Sequence, residues 1–248
     1  MSSKIKFLAE VSEQGGTNAN LENNLNFKKM TSIGASLGSL FSNLELRGYF
    51  ESLQSGISQR DGLPYPLLTY PFIDFIENHD FSNYELIEFG SGQSTLFFEN
   101  IFKIVKSYET DKQWYEFMRG KLKKTQYILI GTEQLENGNF EINTTNTSNA
   151  LVLVDAACNR YKLTFNIINK INPTFIVLDN SEWYRNTAEL LQKNKFFEIP
   201  FWGFKNSEHW ESCTSLFISL DKQIGLNKKQ DHLPPLSRKK INSWDCVD

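Results

Sequence analysis

Residues 84–95, Tyr-Glu-Leu-Ile-Glu-Phe-Gly-Ser-Gly-Gln-Ser-Thr, read as a strand, a tight glycine turn and the start of a helix. The apolar run carries Glu88 near its end, glycines alternate at 90 and 92 around Ser91, and Ser94 and Thr95 open an apolar-periodic segment. Glycines in such a turn let the backbone approach a ligand closely, and free helix N–H groups aim at it. Seventeen residues beyond Gly92, the run Ile104-Val105-Lys106-Ser107-Tyr108 ends in Glu109. An acid at the tip of the neighbouring strand is suited to holding a ribose through its hydroxyls. The two features together predict a nucleoside-containing cofactor; the plainer alternative is a glycine turn that serves only strand–helix packing. A dinucleotide fingerprint asks for a third glycine at position 95, where the helix must sit beside a pyrophosphate. Thr95 stands there instead, which favours a cofactor without phosphates and disfavours a nicotinamide oxidoreductase.

Working outward, the chain alternates strand-like and helix-like runs from residue 84, the sign of a parallel sheet covered by helices. Strands are expected at 84–89, 104–108, 126–130, 150–154 and 174–178, with helices at 94–102, 112–121, 160–170 and 184–193. The runs Phe196–Phe201 and Thr214–Leu220 are separated by a loop too short for a crossover helix, so they are expected to pair antiparallel. Segment 131–149 reads as a loop or small hairpin. Upstream, residues 31–60 place leucines and aromatics on helical spacing, and the prolines of 61–72 describe a rigid loop leading into a helix at 71–78. The division expected is an arm and helical extension over 1–60, a main domain over 61–220, and a polar tail over 221–248.

The pattern Glu88-x-Gly90-x-Gly92, with an acid closing the next strand, resembles the S-adenosylmethionine site of class I methyltransferases. That resemblance implies an α/β, Rossmann-like sheet of five parallel strands closed by an antiparallel last pair. It implies cofactor contacts from Glu88, Gly90, Ser91, Gly92, Ser94, Thr95 and Glu109, with Asp155 between cofactor and acceptor. A wider resemblance, to an uncharacterised branch of bacterial class I methyltransferases, spans roughly residues 65–220. It is carried by Thr69-Tyr70-Pro71, Glu88–Thr95, Val154-Asp155, Leu178–Glu182, Trp202-Gly203 and Glu211–Phe217.

Acids stand at several strand tips, where open α/β sheets bind ligands. Two carboxylates and an amide oxygen, Asp155, Asp179 and Asn180, make a hard-oxygen set suited to Mg²⁺ or Ca²⁺. The set resembles that of metal-dependent catechol-type O-methyltransferases, and Asp155-Ala-Ala-Cys-Asn-Arg-Tyr161 echoes their strand-four motif. Those enzymes carry a basic lysine three residues after the first Asp, where this chain has Cys158. Candidate bases are Asp155, Asp179 and His209, the last in the loop joining the final two strands, where its unperturbed pKa suits proton transfer. His79 and His232 sit in polar contexts without such a role. Tyr65, Tyr70, Phe72, Trp183, Tyr184, Trp202 and Trp210 are candidates to wall a pocket, with Tyr65–Phe72 as a lid.

Composition bounds the rest. A net charge of −3 over 248 residues, pI near 5.7, gives no electrostatic footprint for nucleic acid; the clusters Lys121-Leu-Lys-Lys and Arg238-Lys-Lys read as solvated faces. No Asn-Pro-Pro-Tyr tetrapeptide for base methylation follows a strand. Cys158, Cys213 and Cys246 lack metal-ligand spacing and cannot all pair, which suits a reducing compartment. No signal-like or transmembrane-length run is evident, so a cytoplasmic protein without membrane association is expected. The reading is an S-adenosylmethionine-dependent methyltransferase acting at oxygen on a small molecule or sugar intermediate, with a homo-oligomer possible through its N-terminal segment. The alternatives are a metal-assisted O-methyltransferase and, in a different class, a non-catalytic cofactor-binding partner subunit.

Overall fold

The structure, a computed structural model, describes residues 21–142, 149–229 and 234, the side chains of 21–29 excepted. Residues 1–20 of the expected arm and extension, most of the tail, His232, Cys246 and Arg238-Lys-Lys lie outside the described residues. The chain divides into two compact units, residues 1–47 with 235–248 and residues 48–234, where the sequence suggested a boundary near 60. In the first, the described residues form helix α1 (Leu21–Leu46), which exposes Met30, Ile33, Leu37 and Leu40.

The second unit opens with α2 (Tyr49–Ser55), a two-residue hairpin pairing Gln59-Arg60 with Leu63-Pro64, and α3 (Tyr70–Asn78). The core then follows as β1 (Glu85–Phe89), α4 (Gln93–Phe98), β2 (Ile104–Glu109), α5 (Lys112–Arg119), β3 (Thr125–Leu129) and α6 (Thr132–Glu136). After it come β4 (Ala150–Val154), α7 (Arg160–Lys170), β5 (Phe175–Leu178), a 3₁₀ turn (Ser181–Trp183) and α8 (Arg185–Lys193). Two long strands, β6 (Phe196–Phe204) and β7 (Glu211–Ser219), close the sheet. The short helix α6 falls inside the segment expected to be a loop or hairpin; at five residues it is too brief to show a period.

The seven strands lie in the order β3-β2-β1-β4-β5-β7-β6. All neighbours from β3 to β5 pair in parallel, and β7 runs antiparallel to both β5 and β6. This is the Rossmann-like α/β sheet that the sequence led us to expect. The antiparallel last pair is present, and β7 is the single reversed strand, inserted between β5 and β6. Burial explains the patterning: every residue of β1, β4 and β5 is buried, as befits strands covered on both faces, while edge strands β3 and β6 are mostly half-buried or exposed.

The motif pieces scattered along the chain meet here. Pro71 lies so close to Gly203 that a Cβ there would stand 2.8 Å from its ring, so α3 seats directly on β6. Thr69 bonds Phe201 O through its hydroxyl and Thr214 Oγ1 through its amide, tying the loop before α3 to β6 and β7. Gly90 ends β1 in the left-handed region at φ 99°, and a Cβ on it would meet Asp155 C at 2.7 Å. The turn after β1 and the turn after β4 are therefore in backbone contact, which only glycine permits.

Gly90→Ala should accordingly lower the unfolding free energy by about 2 kcal/mol or more, combining left-handed strain with a clash against backbone. Denaturant unfolding of the variant beside the parent protein measures it; an unchanged midpoint would show that the two turns separate freely.

Candidate active site

The glycine turn is shaped from beneath by Glu88. Its carboxylate, wholly buried, accepts hydrogen bonds from Ser94 Oγ (2.6 Å), Thr95 Oγ1 (2.5 Å) and Ser107 Oγ (2.8 Å). Thr95 Oγ1 in turn accepts from Gly92 N (3.0 Å), so the residue at the third-glycine position closes the turn. Burial pushes the Glu88 carboxyl up to about 7, against the opposing pull of the three hydroxyls. Glu88 and Thr95 were expected to contact a cofactor. Both are fully buried, neither lines the cavity described next, and their hydrogen bonds fix the turn.

The cavity, of about 350 Å³, lies at the carboxyl edge of the sheet. Its floor is the turn itself, Ser91, Gly92, Gln93 and Ser94. Trp114 and Phe117 of α5 wall one side, Leu67 and Leu68 with Ile57 another, and Asp155 reaches in from β4. Trp114 is pinned over the turn by its indole N–H, which donates to Ser91 O (2.9 Å). Gly92 is extended, and a Cβ there would meet nothing nearer than Ser94 Oγ at 3.9 Å. The protein's own packing thus does not require glycine at 92; the missing side chain leaves room in the cavity.

Glu109 stands directly behind Ser91. One carboxylate oxygen accepts from Ser91 N (3.1 Å) and Ser91 Oγ (2.6 Å), the other from the amides of Thr110 (2.7 Å) and Asp111 (2.8 Å). All four lone-pair directions are filled. Ser91 gives its one hydroxyl proton to Glu109, so Tyr127 must donate to Ser91 (2.7 Å).

The turns after β4 and β5 meet in a second cluster. Arg160 Nη2 pairs with Asp155 Oδ1 at 2.9 Å, while the same guanidinium donates to Asp179 O, Ala156 O and Val154 O and lies over the Tyr184 ring. Lys205 Nζ pairs with Asp179 Oδ2 at 2.6 Å, both side chains at most 3% exposed, and Thr214 Oγ1 donates to Asp179 Oδ1. Burial first, then the neighbouring Asp179, pushes the Asp155 carboxyl well above its ordinary range; Arg160 and Lys205 oppose the shift. A carboxyl so placed is suited to proton transfer near neutrality.

Of the three candidate bases, only Asp155 lines the cavity. Asp179 is sealed in its ion pair, and His209 is exposed, its ring beside Tyr49 OH (3.3 Å). The metal reading of Asp155, Asp179 and Asn180 does not fit the donors as folded. An ammonium already holds the Asp179 oxygen, and among the described residues no group of three acidic, histidine or cysteine side chains is arranged to hold a metal ion. Cys158, at the position of the catechol-type lysine, has its thiol pushed up to about 11 by burial and stays protonated near neutrality. In the Tyr65–Phe72 segment Tyr65, Tyr70 and Phe72 are core residues, and Leu67 and Leu68 face the cavity instead. Trp183, Trp202 and Trp210 are exposed.

Trp114, Phe117 and Lys205 escaped the sequence reading. The aromatic pair was visible only as a helix face, and a lysine after a strand is by default a surface residue.

No protein-family model and no curated protein matches this chain. Solved structures that it resembles in fold include several methyltransferases. A Klebsiella pneumoniae protein assigned provisionally as an O-methyltransferase aligns at 14% identity over 71% of this chain and 89% of its own, with TM-score 0.48. A precorrin-6y C5,15-methyltransferase from Geobacter metallireducens aligns at 13% over 66% and 98%, with TM-score 0.45. The N-methyltransferase NodS from Bradyrhizobium japonicum, in complex with S-adenosyl-L-homocysteine, aligns at 10% over 71% and 98%, with TM-score 0.41.

The folded protein holds the Glu88 proton more tightly than an unfolded chain does, so its contribution to stability is complete below about pH 4.5 and lost as pH rises to about 7. On the order of 3 kcal/mol is at stake. Glu88→Gln should flatten the fall in stability between pH 5 and 8, read by denaturant titrations across that window; parallel curves for the two proteins would show that Glu88 ionises normally.

Proposed function

We propose that this chain is an S-adenosylmethionine-dependent methyltransferase that methylates an oxygen of a small molecule or sugar intermediate. The observation that carries the reading is the cavity over Gly92, an aromatic- and aliphatic-walled space at the strand ends into which Asp155 alone among the described carboxylates projects. Its size lies within the range of cofactor sites.

In this reading the adenine lies against Trp114 and Phe117, whose faces suit a flat apolar ring. Glu109, buried behind Ser91 and outside the cavity lining, is proposed to receive the ribose hydroxyls once the Ser91 side chain turns away. Three of its four present donors are backbone amides, so the Ser91 hydroxyl is the one that a ribose replaces. The cofactor, when bound, supplies a methyl already activated on a positive sulfur. The chain's part is alignment, exclusion of water and removal of the acceptor proton. Asp155 Oδ2, the oxygen not held by Arg160, is proposed to take that proton. A second cavity of about 560 Å³, lined by Tyr161, Trp183, Tyr184 and the Arg160 that pairs with Asp155, is the proposed place of a planar or sugar-ring acceptor. The overall charge of −3 supports an acceptor that is not a polyanion. We place the protein in the cytoplasm on the same sequence grounds as above; no helix among the described residues is long and apolar enough to cross a membrane.

Calorimetric titration should show S-adenosylmethionine binding in the micromolar range and no binding of NAD. Gly92→Ala should weaken it at least about tenfold while leaving stability within about 0.5 kcal/mol, because the added methyl enters the cavity and touches little else. Glu109→Gln should weaken it comparably. Preferential binding of NAD, or no binding of S-adenosylmethionine to the folded protein, would remove this reading.

A further inference from the structure

The oxygen set that the sequence offers to a metal already holds a cation, and the cation belongs to the chain. Lys205 Nζ lies 2.6 Å from Asp179 Oδ2. With the Asn180 amide turned to satisfy both neighbours, its oxygen accepts from Lys205 Nζ at 3.1 Å and its nitrogen donates to Asp179 Oδ2 at 2.9 Å. Asn180 adopts φ 51°, a left-handed conformation that asparagine tolerates, and this turns its side chain back toward Asp179. We infer that Lys205 stands in the position of a divalent metal ion: a positioning residue whose ammonium holds Asp179 and Asn180 away from the cavity and leaves Asp155 as the working carboxylate.

Three physical arguments bear this out. The first is charge. Asp155 and Asp179 are balanced by Arg160 and Lys205, so the cluster is neutral as built, and a divalent ion added to it would face two fixed cations at close range. The second is space. Mg²⁺ needs its oxygens at about 2.0–2.1 Å, and the Asp179 oxygen that would supply one carries an ammonium instead. The third is anchoring. The next residue, Asn206, is buried and joined to Tyr70 OH, Ser58 Oγ and Gln59 O, so the backbone that carries Lys205 cannot swing aside alone. Thr214 secures the other Asp179 oxygen and is itself held by the Thr69 amide.

The catalytic consequence, metal-independent transfer with Asp155 as proton acceptor, rests on the methyltransferase reading. The test does not. Titration with Mn²⁺, followed by the electron paramagnetic resonance signal of the free ion, should show no site on the wild-type protein up to roughly 1 mM, the weak end of protein divalent sites. Lys205→Ala vacates the position and should bind one Mn²⁺ per chain at least about tenfold more tightly than wild type, and Asp179→Asn in that background should abolish the gain. Lys205→Arg keeps a cation and should remain metal-free. A folded Lys205→Ala protein that gains no site would overturn the inference. So would Mn²⁺ binding by the wild type that Asp179→Asn removes. That wild-type comparison decides the matter alone should Lys205→Ala fail to fold, as loss of one partner of a buried ion pair can cause. Failure of S-adenosylmethionine to bind would leave each of these readings unchanged.

Discussion

The Asp179 carboxylate, buried at the end of β5, is the constraint around which the functional edge of the sheet is built. An ionised carboxylate removed from water must be fully paired, and leaving one charge of such a pair alone costs about 3–5 kcal/mol. Its partners come from distant parts of the chain: Lys205 after β6, Thr214 within β7 and, through Thr214, the Thr69 amide before α3. Arg160 from α7 completes the arrangement by holding the Asp179 carbonyl and the Asp155 side chain together. One buried charge thus sets the relative positions of the turns after β4, β5 and β6.

The glycine turn after β1 uses a different device for the same purpose. Glu88 is buried without a cation and is held instead by three hydroxyls, two from the helix that the turn opens and one from β2. Its raised pKa follows from that choice, because hydroxyl donors recover less of the lost hydration than a positive charge would. The two devices meet where Gly90 touches Asp155, and the cavity opens above that contact. Charge pairing fixes the proposed acceptor side, and hydroxyl networks fix the proposed cofactor side.

Much of the fold was legible because the central strands are buried on both faces and so appear as unbroken apolar runs ending in acids. β4 at 150–154 and α7 at 160–170 were read to the residue, and the other strands of the main sheet within a few positions. The insertion of β7 between β5 and β6 was not legible. The short loop between β6 and β7 requires an antiparallel pair but does not say which member faces β5. In the candidate site, Asp155, Gly92 and Ser91 were singled out by their place at strand ends, and all three line the cavity. Thr95 and Glu88 were placed in the right neighbourhood, but whether a polar side chain faces a ligand or a buried partner depends on atoms from other elements.

The sequence by itself determined the α/β architecture, the glycine turn with its following acid, and the acids at the strand tips, because each is written in local spacing and in the burial of whole strands. The tertiary structure alone decided what those acids do. Asp179 and Asn180, spaced like metal ligands, are bound to a lysine twenty-six residues beyond Asp179. Asp155 is left facing the cavity because Arg160 holds only one of its oxygens. Ligand and ion-pair partner are indistinguishable along the chain, since the difference lies in which charge the folded backbone brings within bonding distance.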